Sequence, residues 1–212
     1  MQNYYKISCR TAPDVTMKVI PGHFATPNSH INYYIDMTTM KSRLSEARNT
    51  AKAIAQDYMF NTIVDSIVCM DGCEVIGACL ADEMTRGGFT TINQHNTIYV
   101  IQPEFDRSGQ MIFRENMQMM VKNKYVLLLL ASATTGTTVS HAINSIQFYG
   151  GQIAGISAIF SAVKQIHGYD VQALFSADDL QDYCNYAPHE CELCKRGIKI
   201  DAICNGHGYT QL

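Results

Sequence analysis

Charge is scarce in this chain of 212 residues. Asp, Glu, Lys and Arg supply 17% of it, against roughly 25% in a typical globular domain, a deficit in keeping with surface buried beyond one core, such as a subunit interface. The formal net charge is −3, from 16 basic and 19 acidic side chains, and no basic block is sustained anywhere. A protein that wraps the nucleic-acid backbone needs such a block, so no nucleic-acid partner is expected. Long apolar runs are missing too. The longest, Tyr125–Ala133, is far short of the ~20 residues of a membrane span, so no membrane partner is expected either. The opening MQNYYKISCRTAPDVT has no apolar core of a secretory signal. A cytoplasmic location with reduced thiols is therefore expected for the eight cysteines, rather than a disulfide framework. No internal repeat, low-complexity tract or Pro/Gly/Ser linker divides the sequence, and a single domain over 1–212 follows.

What is present is apolar material, 47% of the chain, which excludes intrinsic disorder. After an irregular start, Leu44, Ala47, Ala51, Ile54, Ala55 and Tyr58 fall on one face of a helix over 41–60. A β-branched run at 63–70 reads as a strand, Asp71-Gly72-Cys73 as a turn, and 75–84 as a second helix closed by Arg86-Gly87-Gly88. Strands follow at 96–102, 124–130 and 152–160, with a polar loop at 103–110 and a helix at 139–149. The run KYVLLLL is apolar without alternation, as expected of a parallel strand covered on both faces. Alternation of strand and helix predicts an α/β fold with a doubly wound, mainly parallel sheet flanked by helices. Ligands in such sheets sit beyond the carboxyl ends of the strands, which directs attention to the turns after Met70 and Leu130.

The second turn is ASATTGTT, running straight into a helix. Thr134, Thr135, Gly136, Thr137 and Thr138 supply hydroxyls, backbone N–H groups and the positive end of a helix dipole, and a phosphate dianion suits all three. An N-capped helix with a polar turn is the plainer alternative. No Walker loop and no Rossmann fingerprint occurs.

A hydrophobic strand, a short loop with Thr-Thr-Gly-Thr-Thr and then a helix resembles the phosphoribosyl-diphosphate loop of type I phosphoribosyltransferases. Other segments narrow the resemblance to orotate phosphoribosyltransferase. They are Pro21-Gly22-His23-Phe24, Thr26-Pro27-Asn28-Ser29-His30 with Tyr33-Tyr34, Met70-Asp71-Gly72-Cys73, and Cys191-Glu192-Leu193-Cys194-Lys195-Arg196-Gly197-Ile198. The resemblance runs from about Val19 to the C-terminus. It implies a core of about 41–165, with segments 1–40 and 166–212 packing as a small hood, and a homodimer. It also implies transfer of a phosphoribosyl group from phosphoribosyl diphosphate, with Mg2+, to orotate. Thr134 to Thr138 would hold the 5′-phosphate, Asp71, Gly72 and Cys73 the diphosphate side, and Thr26, Asn28 and His30 the base.

The departures from the family are as informative. Leu130 and Ala131 stand where the resemblance places two adjacent acids that grip the ribose hydroxyls, with neutral Ser132 next to them. Pro27-Asn28 replaces a Ser-Gly pair in the base pocket, and Glu74 adds negative charge near the diphosphate side. In the loop that would cover the diphosphate, Arg107 and Arg114 are the only cations, and Arg107 is the one catalytic candidate, a solvated arginine being the plainer reading. Three functions compete: an active orotate phosphoribosyltransferase-like enzyme; a catalytically impaired paralogue that binds a nucleotide monophosphate or phosphosugar as a sensor or assembly partner; and a salvage transferase for another base. Separately, Cys184, Cys191, Cys194 and Cys204, with His189 and His207 nearby, are candidate zinc ligands, although only Cys191-x-x-Cys194 has knuckle spacing. The resemblance accounts for the pair as part of a C-terminal arm without requiring metal, which is the plainer reading. Cys69, Cys73 and Cys79 read as small buried hydrophobes.

Overall fold

The computed structural model describes residues 4–86, 91–94, 97–107, 109–206 and 208–212. The N-terminal segment lacks long periodic patterns, yet forms three strands: β1 (Tyr5–Ser8), β2 (Thr16–Ala25) and β3 (His30–Asp36). β2 buries Met17, Val19, Ile20 and Phe24, and its antiparallel register with β3 slips between Pro21 and Phe24, where proline lacks the N–H that a regular ladder would use. The expected long helix divides into α1 (Thr38–Ser42) and α2 (Leu44–Ala55), because Arg43 between them is extended, with φ −89° and ψ 117°. Small residues on the buried face of α2, Ala47, Ala51 and Ala55 among them, let it pack closely on α3 (Glu74–Arg86).

β4 (Ser66–Cys69), β5 (Tyr99–Ile101), β8 (Tyr125–Ala133), β9 (Gln152–Ser161) and β11 (Tyr169–Ser176) make a parallel sheet, with β10 (Gln165–Ile166) antiparallel at one edge. The strand order is β10-β11-β9-β8-β4-β5. Between β5 and β8 lie a short hairpin, β6 (Glu104–Phe105) with β7 (Met111–Ile112), and α4 (Glu115–Gln118). α5 (Thr137–Phe148) joins β8 to β9. β8 is covered on both faces: Leu127, Leu129 and Ala131 pack with residues of α2 and α3, while Val126, Leu128 and Leu130 pack with α5. Fully burying each leucine contributes roughly 1.5–3 kcal/mol. β8 runs three residues past the strand expected over 124–130 because its ladder with β9 continues through Ser132↔Phe160 and Ala133↔Ser161. The parallel sheet likewise reaches Ser176, beyond the boundary near 165 that the resemblance implies.

After a 3-10 turn at Ala177–Asp179 come β12 (Asn185–Tyr186), α6 (Glu192–Lys195), β13 (Ala202–Asn205) and β14 (Gly208–Gln211). These join the N-terminal strands in a second sheet of order β12-β3-β2-β13-β14, with β1 also on β2. β13 lies parallel to β2 through Ala202↔Phe24 and Ile203↔Ala25. The two ends of the chain thus share one sheet. All eight cysteines are free thiols, and no helix among the described residues is long and apolar enough to cross a membrane.

Candidate functional site

In the parallel sheet, β4 connects outward to β5 on one side while β8 leads to β9 on the other. The strand order therefore reverses between β4 and β8, the position at which a crevice opens in doubly wound sheets. Residues from both sheets line a cavity of about 270 Å3 there. Its floor comes from the ends of three parallel strands: Asp71 after β4, Ala131, Ser132 and Thr134 at the end of β8, and Phe160 of β9. The terminal sheet and its turns supply the facing wall, with Thr26, Pro27, Asn28, Tyr34, Cys204 and Asn205.

The turn after β8 is set by Gly136. Its φ of 78° lies in the left-handed region, and it is the N-cap of α5 with no side-chain cap. A Cβ at this position would meet Ile166 Cδ1 at 3.0 Å, so both backbone and space favour glycine. The first-turn N–H groups of α5 lack intrahelical acceptors by helix geometry and carry the positive end of the dipole, equivalent to roughly half a charge. Of the five predicted phosphate residues, Thr134 and Thr138 border the cavity. Thr135 and Thr137 are exposed, with hydroxyls 3.2 Å apart, and Gly136 is buried.

The turn after β4 is left-handed at two successive residues, Asp71 (φ 55°) and Gly72 (φ 78°). Lys41 Nζ donates to the carbonyl oxygens of Asp71 and Gly206, at 2.6 Å each, tying this turn to the C-terminal segment across one side of the cavity. The sequence gives no sign of that role, because Lys41 belongs to no motif and lies at the end of α1. Cys73 departs from its predicted place on the diphosphate side. Its side chain is wholly buried and does not border the cavity; burial, with Asp71 and Cys69 beside it, raises its thiol well above the ordinary range. Burial and the Glu74 charge push the Cys69 thiol up to about 12. Neither is a nucleophile at neutral pH. Glu74 opens α3 and does not border the cavity either, and its Oε1 is buried without a hydrogen-bond partner among the described residues.

The two positions aligned with the missing acids part company. Ala131 borders the cavity, whereas Leu130 is wholly buried on the α5 side of the sheet, because successive residues of a strand face opposite ways. On the facing wall, the Thr26 hydroxyl is already engaged: it accepts from the N–H of Ser29 (2.9 Å) and lies 2.9 Å from the Ser29 carbonyl, to which it donates. It shapes the turn that carries Pro27 and Asn28. His30 is not at the cavity. Tyr183 is: its ring packs edge-on to Phe160 with centroids 5.4 Å apart, and its buried hydroxyl has no hydrogen-bond partner among the described residues. Burial, then Asp36, Cys204 and Tyr209, pushes the Tyr34 hydroxyl up to about 12, so it stays protonated at neutral pH.

Arg107 lies in the turn between β6 and β7, exposed and away from the cavity lining. Arg114 is held by Glu104 in a two-point ion pair at 2.6 and 2.7 Å. Magnesium prefers carboxylate and other hard oxygens in octahedral geometry. Asp71 is the single carboxylate among the lining residues, and the ribose-side positions are Leu130 and Ala131. These residues do not compose a resident magnesium site.

The predicted thiol quartet is not brought together. The Cys184 thiol donates to the Asp182 carbonyl and the Cys204 thiol to that of Ala25. His189 pairs with Glu190 at 3.5 Å, and His207 lies outside the described residues. Cys191 and Cys194 instead meet His23 and His30.

No protein-family model and no curated protein matches the sequence. Solved structures match in fold. The orotate phosphoribosyltransferase of Aeropyrum pernix superposes with a TM-score of 0.52 at 14% identity, over 76% of this chain and 88% of that one. The Mycobacterium tuberculosis H37Rv orotate phosphoribosyltransferase in complex with Fe(III) dicitrate gives 0.52 at 12% identity, over 77% and 91%. The adenine phosphoribosyltransferase of Thermoanaerobacter pseudethanolicus gives 0.50 at 13% identity, over 82% and 95%. The chain therefore has the α/β fold shared by these orotate and adenine phosphoribosyltransferases.

Proposed function

We propose that the cavity binds phosphoribosyl diphosphate or a nucleoside 5′-monophosphate. The 5′-phosphate sits on the turn from Thr134 to Thr138, and the ribose lies over Ala131 and Ser132. The observation that carries this reading is the uncapped, glycine-initiated N-terminus of α5, with Thr134 and Thr138 at the cavity, at the point where the strand order reverses. Three or four hydrogen bonds to a dianion, at ~1.5–3 kcal/mol each, hold a phosphate without Lys or Arg. Lys41 keeps the Asp71 turn against the C-terminal segment.

Two outcomes follow on this site. As an orotate phosphoribosyltransferase-like enzyme, the protein would transfer the phosphoribosyl group to a nucleobase. As a binding protein, it would hold the ligand without turnover, as a sensor or assembly partner. Ala131 favours the second: of the two positions aligned with the acids it alone borders the cavity, so one charge-assisted ribose contact at ~1.5–3 kcal/mol is missing, or about one to two decades of rate if felt in the transition state. Pro27 and Asn28 in the facing wall leave the base open among orotate and other nucleobases. A homodimer belongs to the same reading and is tested by light scattering.

The deciding experiment combines thermal shift with turnover. Phosphoribosyl diphosphate, nucleoside 5′-monophosphates and the matching nucleosides are compared, and orotate absorbance is followed with phosphoribosyl diphosphate and magnesium. Stabilisation by the 5′-phosphates but not the nucleosides is expected, with little or no loss of orotate. Equal shifts from both classes would remove the phosphate assignment, and turnover at an ordinary enzymatic rate would remove the inert reading.

A further inference from the structure

Outside this cavity, four atoms of the types that hold late first-row metals converge on one point. Nε2 of His23, Nδ1 of His30 and Sγ of Cys191 and Cys194 all lie within 4.8 Å of one another. They come from distant parts of the chain: His23 from β2, His30 from the start of β3, Cys191 from the residue before α6 and Cys194 from within it. His23 Nε2 is 3.2 Å from His30 Nδ1, 3.5 Å from Cys191 Sγ and 3.7 Å from Cys194 Sγ, and His30 Nδ1 is 3.3 Å from Cys194 Sγ. A tetrahedral zinc ion with nitrogen at ~2.05 Å and sulfur at ~2.3 Å requires about 3.3 Å between nitrogens and about 3.6 Å between nitrogen and sulfur. The four separations fall within a few tenths of an ångström of those edges.

A second observation concerns the direction of His23. Its Nδ1 lies 2.9 Å from the Ile198 carbonyl oxygen. A carbonyl only accepts, so Nδ1 bears the proton, and Nε2 turns its lone pair toward the other three atoms. Metal-bound imidazoles are held in this way, the far nitrogen donating to a carbonyl or carboxylate. The backbone fixes the residue further: the His23 N–H donates to Asp201 Oδ2 at 2.8 Å, and the Asp201 N–H donates to the His23 carbonyl at 2.8 Å. A hydrogen bond between the two imidazoles would account for their own approach. It gives no reason for two sulfurs of a Cys-x-x-Cys turn to close on the same point.

We propose that His23, His30, Cys191 and Cys194 form a tetrahedral zinc site. Binding forms two Zn–S and two Zn–N bonds, and the two thiols release their protons to solvent, leaving a site of zero net charge. Four protein ligands leave no open position, so the ion is structural. It links the C-terminal arm to the β2–β3 hairpin. The turn between its two histidines carries Thr26, Pro27 and Asn28 into the cavity wall, so the ion also sets that wall. The site stands whether or not the cavity binds a phosphoribosyl ligand.

The test is metal analysis of the full chain, purified under reducing conditions from zinc-supplemented cells, followed by cobalt titration of chelated protein. About one zinc per chain is expected, and Co2+ should give the absorption of a tetrahedral site with thiolate charge transfer. Cys194→Ala and His30→Ala should lose the metal, whereas Cys184→Ala and Cys204→Ala should keep it. Protein that holds no zinc and gives no tetrahedral cobalt spectrum overturns the proposal, as does metal retained by Cys191→Ala/Cys194→Ala. Should the ligand variants fail to fold, the cobalt spectrum of the unmodified chain decides alone.

Discussion

Leu127 to Leu130 lie in the middle of the parallel sheet with helices on both faces, in two large apolar clusters. In the terminal sheet, Met17 and Val19 of β2 join the first of these clusters, while Phe24 and Ala202 are just as buried in a smaller one with Ile20, Ile31, Tyr34 and Cys204. That sheet is also tied by specific polar contacts. Asn32 donates to the Asp182 carbonyl and accepts from the Cys184 N–H, the Tyr33 hydroxyl donates to the Gln181 carbonyl, and Asp201 holds His23. The comparison teaches how the cavity is built. Its floor is fixed by non-directional burial, which tolerates small losses. Its wall combines packing onto the same core with a few directional links, each of which can be cut singly. Removing a core side chain should then cost global stability, whereas removing a link should change the wall and leave the floor intact.

The largest effect is expected from the floor. Leu129→Ala removes a wholly buried side chain from β8 and should cost about 2–5 kcal/mol, read as a lower denaturation midpoint with an unchanged slope. A loss below about 1 kcal/mol would mean that the parallel sheet does not carry the stability, and the contrast would fail.

Next in size is a gain. Ala131→Asp restores one ribose-facing carboxylate at a position that borders the cavity. One charge-assisted contact at ~1.5–3 kcal/mol corresponds to about tenfold to a hundredfold in affinity for a ribose ligand, measurable by calorimetry with a nucleoside 5′-monophosphate. Adding Leu130→Glu should not double the gain, because that side chain faces the α5 core and would bury an unpaired charge. An equal or lower affinity in well-folded Ala131→Asp would show that the ribose does not lie over Ala131.

The same contrast explains what the sequence makes legible. The strands of the parallel sheet are contiguous apolar runs and its helices periodic, so the alternation of β4, α3, β8, α5 and β9 is readable. The facing of Leu130 is not, because an all-leucine run hides which residue points where until its register with β9 is known. The terminal sheet is nearly silent: AICN, GYTQ and NY are short or polar, and β13 finds β2 only in three dimensions. His23 and His30 lie in the very segments that carry the family resemblance, yet there His30 reads as a base-pocket residue and His23 has no role. Nothing in local spacing joins them to Cys191 and Cys194.

Gly136→Ala tests the turn at the floor's edge. An L-residue at φ 78° costs roughly 1–2 kcal/mol, and the new Cβ would press on Ile166 at 3.0 Å. A modest fall in the thermal midpoint is expected, with weaker 5′-phosphate binding as the α5 N-terminus shifts. Phosphate affinity unchanged in this variant would point the ligand away from α5.

The smallest effect on global stability should come from cutting the metal link, and thiol labelling resolves it. The thiolate is the reactive form. Burial holds the Cys69 and Cys73 thiols far above neutral pH, so both should stay unlabelled until the parallel sheet unfolds. Cys194 is exposed, and its thiol is raised by desolvation and by Cys191. In metal-free protein its labelling should therefore quicken as pH rises toward that thiol's range, while bound metal should suppress it. Mass spectrometry after brief alkylation should then find Cys194 modified only with chelator, and Cys69 and Cys73 protected in both samples. If chelation instead exposes Cys69 and Cys73 together with the arm, the two sheets open as one unit, and the wall is as much a part of the core as the floor.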